Sequence, residues 1–251
     1  MTTGWITLLG AGIGVVAGVV GAGPSILTVL LLQHVRGLAI QSAITTSLVV
    51  VAMMSLVAIV PYAKAGEVLW RAAVDFGVAS MVGAFLSGHV AALVPEKALL
   101  VIFLLAMVVA AGTMLWKRPP PDHCKPRPRV YTLAVLGVGG LLVGTLTGLV
   151  GLGGGFAVVP LLVVFARVPV RSAIGTSILV IAMNTLAGLA GHLPHVAVDW
   201  RTAAYLGVAE SAGSLIGVRL AKRASATALC RAFGCLMLVA ATALLGNAVL
   251  R

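Results

Sequence analysis

The sequence predicts an all-α fold: a polytopic integral membrane protein of two four-segment repeats, inverted relative to each other, each opening with a glycine-broken helix. Of its 251 residues, 61% are hydrophobic and 9% are charged, whereas charged residues make up about a quarter of soluble domains. The mean hydropathy is +1.15. Apolar runs such as 42–61 and 97–116 can cross about 30 Å of hydrocarbon as helices. A third observation, the recurrence of motifs 130 positions apart, predicts the repeats.

The most glycine-rich stretch lies inside an apolar run at 148–160. Three consecutive glycines at 153–155 each cost about 1 kcal/mol of helix propensity, and they leave the backbone free to unwind. We therefore expect the helix to break there. Unwound backbone inside a bilayer is tolerated only where protein buries it or where it lines a wet cavity. A weaker version of the pattern occurs at 14–25, where Gly21 and Gly23 precede Pro24.

The two breaks and the apolar runs between them predict the order of the helices. The first repeat (1–116) is expected to contain a segment at 5–35 interrupted at 21–25, and then helices at about 41–61, 68–94 and 96–116. Residues 117–129 are basic and rich in proline, so they can neither span lipid nor form a regular element, and we interpret them as a cytoplasmic linker. The second repeat (130–251) is expected to contain a segment at 130–166 broken at the triple glycine, and then helices at about 171–191, 200–222 and 226–250.

Ungapped identities support the duplication. Gly18 and Gly148 are 130 positions apart, and the same offset relates short identical stretches in the two halves. These stretches are 42–44 with 172–174, 46–47 with 176–177, 70–71 with 200–201, and 77–79 with 207–209. Duplication with a broken helix at corresponding places is typical of transporters whose substrate binds at the repeat interface.

The distribution of the 17 lysines and arginines favours one topology. If each broken segment crosses the membrane once, nine basic residues lie on the linker side and eight on the other. If each broken segment returns to the side it entered from, thirteen lie on the linker side, and Arg36, Lys97, Arg201 and Arg251 lie opposite. The positive-inside rule favours the second arrangement, which makes the repeats inverted and puts both termini outside. The segment 130–150 is, however, long enough for a full span.

The paired motifs resemble the TauE/SafE sulfite exporter family. The resemblance is carried by the glycine-rich stretches 18–23 and 148–155, the latter followed by Pro160, and by the stretches 43–47 and 173–177. It covers about residues 10–245 and implies a carrier, multi-pass in the bacterial cell inner membrane, for sulfite, sulfonates or related small organosulfur anions. The first half departs from the pattern, because Pro24 and Ser25 stand where the second half has Gly154 and Gly155.

The glycine breaks are the best candidates for the anion site. Backbone N–H groups freed at a helix N-terminus can bind a small anion without a full cationic partner. The candidates are Gly21 and Gly23 in the first half and Gly151, Gly153, Gly154 and Gly155 in the second. The alternative is close helix packing through small residues, which we expect of Gly14, Gly18, Gly144, Gly148, Gly213 and Gly217.

Several polar side chains could complete the site. Thr46, Ser47, Thr176 and Ser177 place hydroxyls one to two turns into the second helix of each half, where they could bind an oxyanion. They could equally bond carbonyl groups of their own helices. Asn184 stands opposite Met54 under the 130 offset and could line the path or bridge two helices.

Glu210 lies near the middle of the predicted helix 200–222. A lone acid at that depth is costly as a carboxylate, so it should face the bundle interior or water. Our hypothesis is that Glu210 is a proton-coupling group. The alternative is a partly solvated acid paired with arginine or backbone.

No other chemistry is indicated. His192 and His195 lack further ligands at metal-binding spacing, so no metal or other cofactor is expected, and no catalytic residues are assigned. Arg71 or Arg201 could attract anions at an entrance.

The basic residues lie at the ends of apolar runs rather than on one continuous face, so nucleic acid is not an expected partner. The expected partners are a small anion and the lipid bilayer, and a homodimer is left open. The rival functions are an anion channel and a membrane-embedded scaffold or enzyme subunit.

Overall fold

The computed structural model describes residues 2–21, 25–38, 40–90, 96–116, 129–150, 155–192 and 198–249. Within these ranges the regular elements are all helical, which confirms the predicted all-α class. The helices are α1 (Thr2–Val20), α2 (Ser25–Arg36), α3 (Ile40–Lys64), α4 (Trp70–Val90), α5 (Glu96–Trp116), α6 (Arg129–Val150), α7 (Gly155–Pro160, continued by a π-helical turn at Leu161–Phe165), α8 (Val170–His192), α9 (Trp200–Arg223) and α10 (Ala226–Val249).

The end of α3 differs from the expectation that it stops at Pro61. The helix continues through Pro61 to Lys64. Proline removes one backbone donor, but its carbonyl oxygen still accepts a hydrogen bond from the Ala65 N–H at 3.2 Å. A single missing bond in the last turn therefore does not end the helix.

The helices have the apolar character expected of a bilayer protein. By length and composition, two helices of the described part of the chain qualify as membrane spans: Gln41–Lys64, with a mean hydropathy of 2.4, and Val170–Ala190, with 1.8. Other helices expose large apolar side chains, such as Val74 and Val78 on α4 and Val101 and Leu105 on α5. Apolar surface of this extent is suited to contact with lipid rather than water.

Helix α1 packs closely along α9, and the two run in the same direction. A Cβ atom at Gly14 would clash with the Glu210 carbonyl oxygen, and one at Gly18 would clash with the Ser214 carbonyl oxygen. On α9, Gly213 faces α1 in the same way, because a Cβ atom there would clash with the Ala11 carbonyl oxygen. The absence of side chains lets the two backbones approach, so the packing role predicted for these glycines is confirmed.

Helices α4 and α6 repeat this arrangement. A Cβ atom at Gly144 of α6 would clash with the Ser80 carbonyl oxygen, and one at Gly83 of α4 would clash with the Leu141 carbonyl oxygen. Gly144 and Ser80 each lie 130 positions from their counterparts, Gly14 and Glu210. The first helix of each half therefore packs against a helix of the other half at equivalent positions.

The two long apolar helices α3 and α8 run in opposite directions. Gly175, near the start of α8, lies against Tyr62 at the end of α3, where a Cβ atom would come within 3.1 Å of the Tyr62 Cβ. Gly188, near the end of α8, lies against Leu48 near the start of α3, at 3.6 Å. Equivalent helices of the two halves are thus antiparallel.

Helix α2 returns along α1. Thr7 near the start of α1 and Arg36 at the end of α2 line one cavity, while Thr28 of α2 contacts Glu210, which lies beside Gly14 of α1. We call the end of the molecule where α2 ends and α9 begins the Asp199 end. The opposite end, where α3 ends and α4 begins, is the Leu69 end.

The turns that follow the two broken segments share an unusual backbone conformation. Gly37 has a φ of 64° and Arg167 has a φ of 53°, and the two are 130 positions apart. This left-handed region is open to glycine but strained for arginine. The same chain reversal is therefore made in both halves, with a less suitable residue in the second.

Candidate functional site

The first helix break is fixed by Gly21. Helix α1 ends at Val20, the Gly21 N–H donates to the Ala17 carbonyl oxygen at 2.8 Å, and Gly21 has a φ of 64°, a conformation that favours glycine. A Cβ atom at Gly21 would come within 2.5 Å of Ile174 Cγ2 and 3.0 Å of Ser177 Oγ. The end of α1 is thus pressed against α8 of the other half.

Ser177 binds the backbone of this break. Its hydroxyl lies 2.6 Å from the Gly21 carbonyl oxygen and 2.8 Å from the Ile174 carbonyl oxygen in its own helix, and it donates to these two acceptors. The structure thus brings together two predicted site residues from different halves. Ser47, the equivalent residue of α3, donates to the Ile44 carbonyl oxygen at 2.7 Å.

Thr46 and Thr176 bind the chain just before a helix of the other half. Thr176 Oγ1 accepts a hydrogen bond from the Leu69 N–H at 3.1 Å, and Thr46 Oγ1 accepts one from the Asp199 N–H at 3.3 Å. Leu69 and Asp199 precede α4 and α9 respectively, 130 positions apart. We call these two bonds the threonine latches. They hold opposite ends of the molecule, and a role for these residues as anion ligands stays a prediction.

Glu210 is fully buried, with a relative exposure of 0%. Thr28 Oγ1 donates to Glu210 Oε1 at 2.9 Å, while Glu210 Oε2 has no hydrogen-bond partner among the described residues. The acid therefore faces the bundle interior, as the sequence predicted. A buried carboxyl group with a free oxygen can carry a proton there.

Asn184 binds the residue of the first half that is equivalent to Glu210. Its Nδ2 donates to Ser80 Oγ at 3.2 Å, and Ser80 is the equivalent of Glu210 under the 130 offset. Asn184 therefore bridges α8 and α4, which was one of the two alternatives for this residue. Its role as an anion ligand is not tested by this contact.

The second glycine break lies mostly outside the described residues. Helix α6 ends at Val150, and α7 begins at Gly155. Gly155 is therefore the first residue of a helix rather than part of an unwound stretch. Gly23, Gly151, Gly153 and Gly154 lie outside the described residues, as does His195, so their predicted roles stay predictions.

Several contacts at the Leu69 end were not predicted. Lys222 Nζ donates to the Pro61 carbonyl oxygen at 2.9 Å and lies 5.9 Å from the centre of the Tyr62 ring. The Tyr62 hydroxyl donates to the Gly18 carbonyl oxygen at 3.3 Å, which ties α3 to α1. A tyrosine directly after a proline near the end of an apolar run was the only signal in the sequence.

The Asp199 end carries its own polar cluster. Asp199 caps α9: Oδ1 accepts from the Thr202 N–H at 3.1 Å, and Oδ2 accepts from the Thr202 hydroxyl at 2.6 Å. Arg36 donates to the same Oδ2 at 3.4 Å. The two hydrogen bonds from Thr202, and to a smaller extent Arg36, lower the pKa of Asp199 below its usual value. Asp199 therefore stays ionised at neutral pH.

Comparison with known proteins identifies relatives over most of the chain. Residues 6–244 match the family described as Sulfite exporter TauE/SafE. A protein of Xylella fastidiosa (strain 9a5c), named a probable membrane transporter protein, is 33% identical over 242 residues, which cover 94% of this chain and 93% of the relative. A probable membrane transporter protein of Methanocaldococcus jannaschii is 29% identical over 154 residues, 61% of this chain and 57% of the relative. No solved structure matches the chain.

Together with the apolar helical fold, these comparisons define the class of protein: it is a membrane transporter. Within that class, the chain belongs to the TauE/SafE sulfite exporter family. The resemblance carried by the glycine-rich stretches and by the hydroxyl pairs is confirmed.

Proposed function

We propose that this protein is a secondary transporter of small anions, with sulfite, sulfonates or related organosulfur anions as substrates. It works by alternating access at the interface between two repeats, residues 1–116 and 130–251, joined by the linker 117–129. The family description supplies sulfite as the leading candidate. The proposed activity is transport of the anion, with no catalysed reaction.

The observation that carries the proposal is the reciprocal packing of the halves. Helix α1 lies along α9, α6 lies along α4, and the break at Gly21 is bonded to Ser177 of the other half. Broken helices at an interface between inverted repeats are the usual setting of a transporter substrate site. Each half therefore supplies part of the surface against which the other could move.

The proposed membrane topology follows the same geometry. Arg36 contacts Asp199 before α9, and Arg171 contacts the Ala224 carbonyl oxygen after α9 at 3.2 Å, so the ends of a 24-residue helix separate them by about 36 Å at 1.5 Å per residue. With α2 returning along α1, thirteen basic residues fall on the linker side, which the positive-inside rule makes cytoplasmic. We propose a multi-pass protein of the bacterial inner membrane.

The anion is proposed to bind where the glycine breaks meet the hydroxyls of α3 and α8. The Gly21 N–H is bonded to the Ala17 carbonyl oxygen, so the partial positive charge that an oxyanion needs is proposed to come from the N–H groups that follow Gly21 and from those freed by the glycines at 151–155. Ser177 already lies at the first of these breaks. Glu210, with one oxygen unpaired among the described residues, is the proposed proton-coupling group.

Counterflow in liposomes tests the proposed function. Purified full-length protein is reconstituted, and uptake of labelled sulfite is measured against internal sulfite, methanesulfonate, thiosulfate or acetate. We expect saturable exchange with sulfite and methanesulfonate and none in protein-free liposomes. Flux that rises without saturation would identify a channel. No flux with any of these anions would favour a scaffold or enzyme subunit and contradict the proposal.

A further inference from the structure

A cavity of about 160 Å³ opens at the Asp199 end, where α1 and α9 begin and α2 ends. Ile6 and Leu206 form its apolar wall. Its polar lining combines two arginines, Arg36 and Arg201, with the hydroxyl-bearing residues Thr7, Thr202 and Tyr205. We call it the Arg36–Arg201 cavity. A buried water needs about 10–15 Å³ on this measure, so the space suits a small solute with some of its water.

The charges around this cavity leave an excess of positive charge. Arg36 is paired with Asp199 at 3.4 Å, and the two side chains are 38% and 25% exposed. Both Asp199 oxygens already accept hydrogen bonds from Thr202, so Arg36 engages it with one long contact and retains further N–H donors. Arg201 adds a second guanidinium beside the Tyr205 hydroxyl. Two cations and one carboxylate give a net charge of about +1.

The position of these arginines also calls for an explanation. In the proposed topology only Arg36, Lys97, Arg201 and Arg251, of 17 basic residues, lie on the non-cytoplasmic side. Basic residues there oppose the positive-inside preference. Two of these four nevertheless converge on one cavity. A function in binding would account for a placement that topology alone disfavours.

We propose that the Arg36–Arg201 cavity is a second, external binding site for a small sulfur oxyanion, a sulfite or an alkanesulfonate. The inference rests on the proposed function and adds a site to it. Guanidinium groups bind planar pairs of oxyanion oxygens through two parallel N–H donors. The Tyr205 hydroxyl can donate to a remaining oxygen, and Ile6 and Leu206 can contact a short alkyl group.

The helices that line the cavity also carry the proposed proton-coupling group deeper in the bundle. Helix α9 carries Arg201 and Tyr205 at the cavity and Glu210 about one and a half turns beyond Tyr205, roughly 8 Å along the helix at 1.5 Å per residue. Helix α2 carries Arg36 at the cavity and Thr28, the partner of Glu210, about two turns deeper. An anion held at the cavity would therefore lie at the external mouth of the interface between the halves.

The test uses a matched pair of arginines. Arg71 is the equivalent of Arg201 under the 130 offset and lies at the start of α4, at the Leu69 end. Binding of sulfite and of methanesulfonate to full-length protein in lipid nanodiscs is measured by calorimetry for the wild type, Arg201→Gln, Arg36→Gln and Arg71→Gln. Loss of a charge-assisted contact should weaken anion binding at the cavity about tenfold or more in the first two variants. Arg71→Gln should bind as the wild type does.

Two further measurements separate this inference from its premise. Arg201→Lys, which keeps the charge but not the paired donors, should bind with intermediate affinity, and size-exclusion profiles report whether each variant folds. If the wild type exchanges sulfite in liposomes but Arg201→Gln and Arg36→Gln bind it with unchanged affinity, the cavity is not a site and transport still stands. If the wild type binds neither anion, the inference falls together with the proposed function.

Discussion

Glu210 and Ser80 show how the two halves differ at a single position. Both residues are fully buried, and each has its backbone packed against a glycine of the first helix of the other half. Glu210 accepts a hydrogen bond from Thr28, whereas Ser80 accepts one from Asn184. An ionisable group is therefore found on one side of an otherwise matched pair. Because an acid inside a membrane is costly, its presence in only one half favours a role in coupling.

Replacing Glu210 with glutamine tests this role. Glutamine keeps the size and can still accept the hydrogen bond from Thr28, but it cannot take up or release a proton. We expect proteoliposomes containing Glu210→Gln to retain anion exchange while losing the response of net flux to an imposed pH gradient. The measurement is labelled anion flux at several pH differences across the membrane.

The control for this experiment is Asp75→Asn. Asp75 is an exposed acid near the start of α4, so its neutralisation should leave both the flux and its pH dependence unchanged. If Glu210→Gln also leaves both unchanged, Glu210 has no part in the mechanism. The position of Glu210 was readable from the sequence, but its partner Thr28 was not, because the two residues are 182 positions apart and sequence spacing does not show which faces of distant helices meet.

The threonine latches act between elements. Thr46 on α3 binds the chain before α9, and Thr176 on α8 binds the chain before α4, so each latch joins the two halves at one end. Movement of the halves at the Leu69 end must break the bond of Thr176, and movement at the Asp199 end must break the bond of Thr46. In the proposed alternating-access cycle, the two latches would therefore belong to opposite openings.

Replacing either latch threonine with valine is expected to lower the stability of the fold. Valine keeps the shape of threonine but leaves the Leu69 or Asp199 N–H without its acceptor, which costs about 1–3 kcal/mol when the group is buried. We expect Thr176→Val and Thr46→Val to lower the unfolding temperature in detergent. Thr176→Val should also increase access of a thiol reagent to a cysteine introduced at Val68, a buried residue at the Leu69 end.

Thr45→Val is the matched control, because the Thr45 hydroxyl donates to the Gln41 carbonyl oxygen of its own helix at 2.9 Å. Its removal should leave access at the Leu69 end unchanged. Equal access in Thr176→Val and Thr45→Val would show that the Thr176 bond does not hold that end closed.

The elements also show what sequence reasoning can reach. Local composition predicted the bounds of the helices to within a few residues and identified Gly14, Gly18 and Gly144 as packing residues. Both predictions were possible because an apolar run of membrane-spanning length and a small residue can each be recognised from neighbouring residues alone. The latches could not be found this way, since Thr176 and its partner are 107 positions apart and Thr46 and its partner are 153 apart. Nothing in the spacing of a threonine indicates which distant N–H it will meet.

At the scale of the whole molecule, the sequence allowed two membrane topologies, which differ in whether each broken segment crosses the bilayer once or returns. A single crossing by each broken segment would make α3 and α8 parallel, and a returning segment would make them antiparallel. Gly175 lies against Tyr62, and Gly188 lies against Leu48, so the two helices are antiparallel. This geometry agrees with the arrangement that puts thirteen basic residues on the linker side.

Cysteine labelling in intact cells tests the inverted topology at equivalent positions. Arg71 and Arg201 are both exposed and begin equivalent helices, so they should lie on opposite sides of the membrane. In a background with Cys124, Cys230 and Cys235 replaced by serine, we expect Arg201→Cys to react with a membrane-impermeant maleimide from outside. Arg71→Cys should react only after permeabilisation.

Cys124 in the linker supplies the reference for the cytoplasmic side, because thirteen basic residues and the linker are expected to share that side. A variant that retains only Cys124 should behave as Arg71→Cys does. Reaction of Arg71→Cys and Arg201→Cys from the same side would make the repeats parallel in the membrane. In that case the antiparallel packing of α3 and α8 could not exist in the bilayer, and the interface proposed to carry the anion would have to be abandoned.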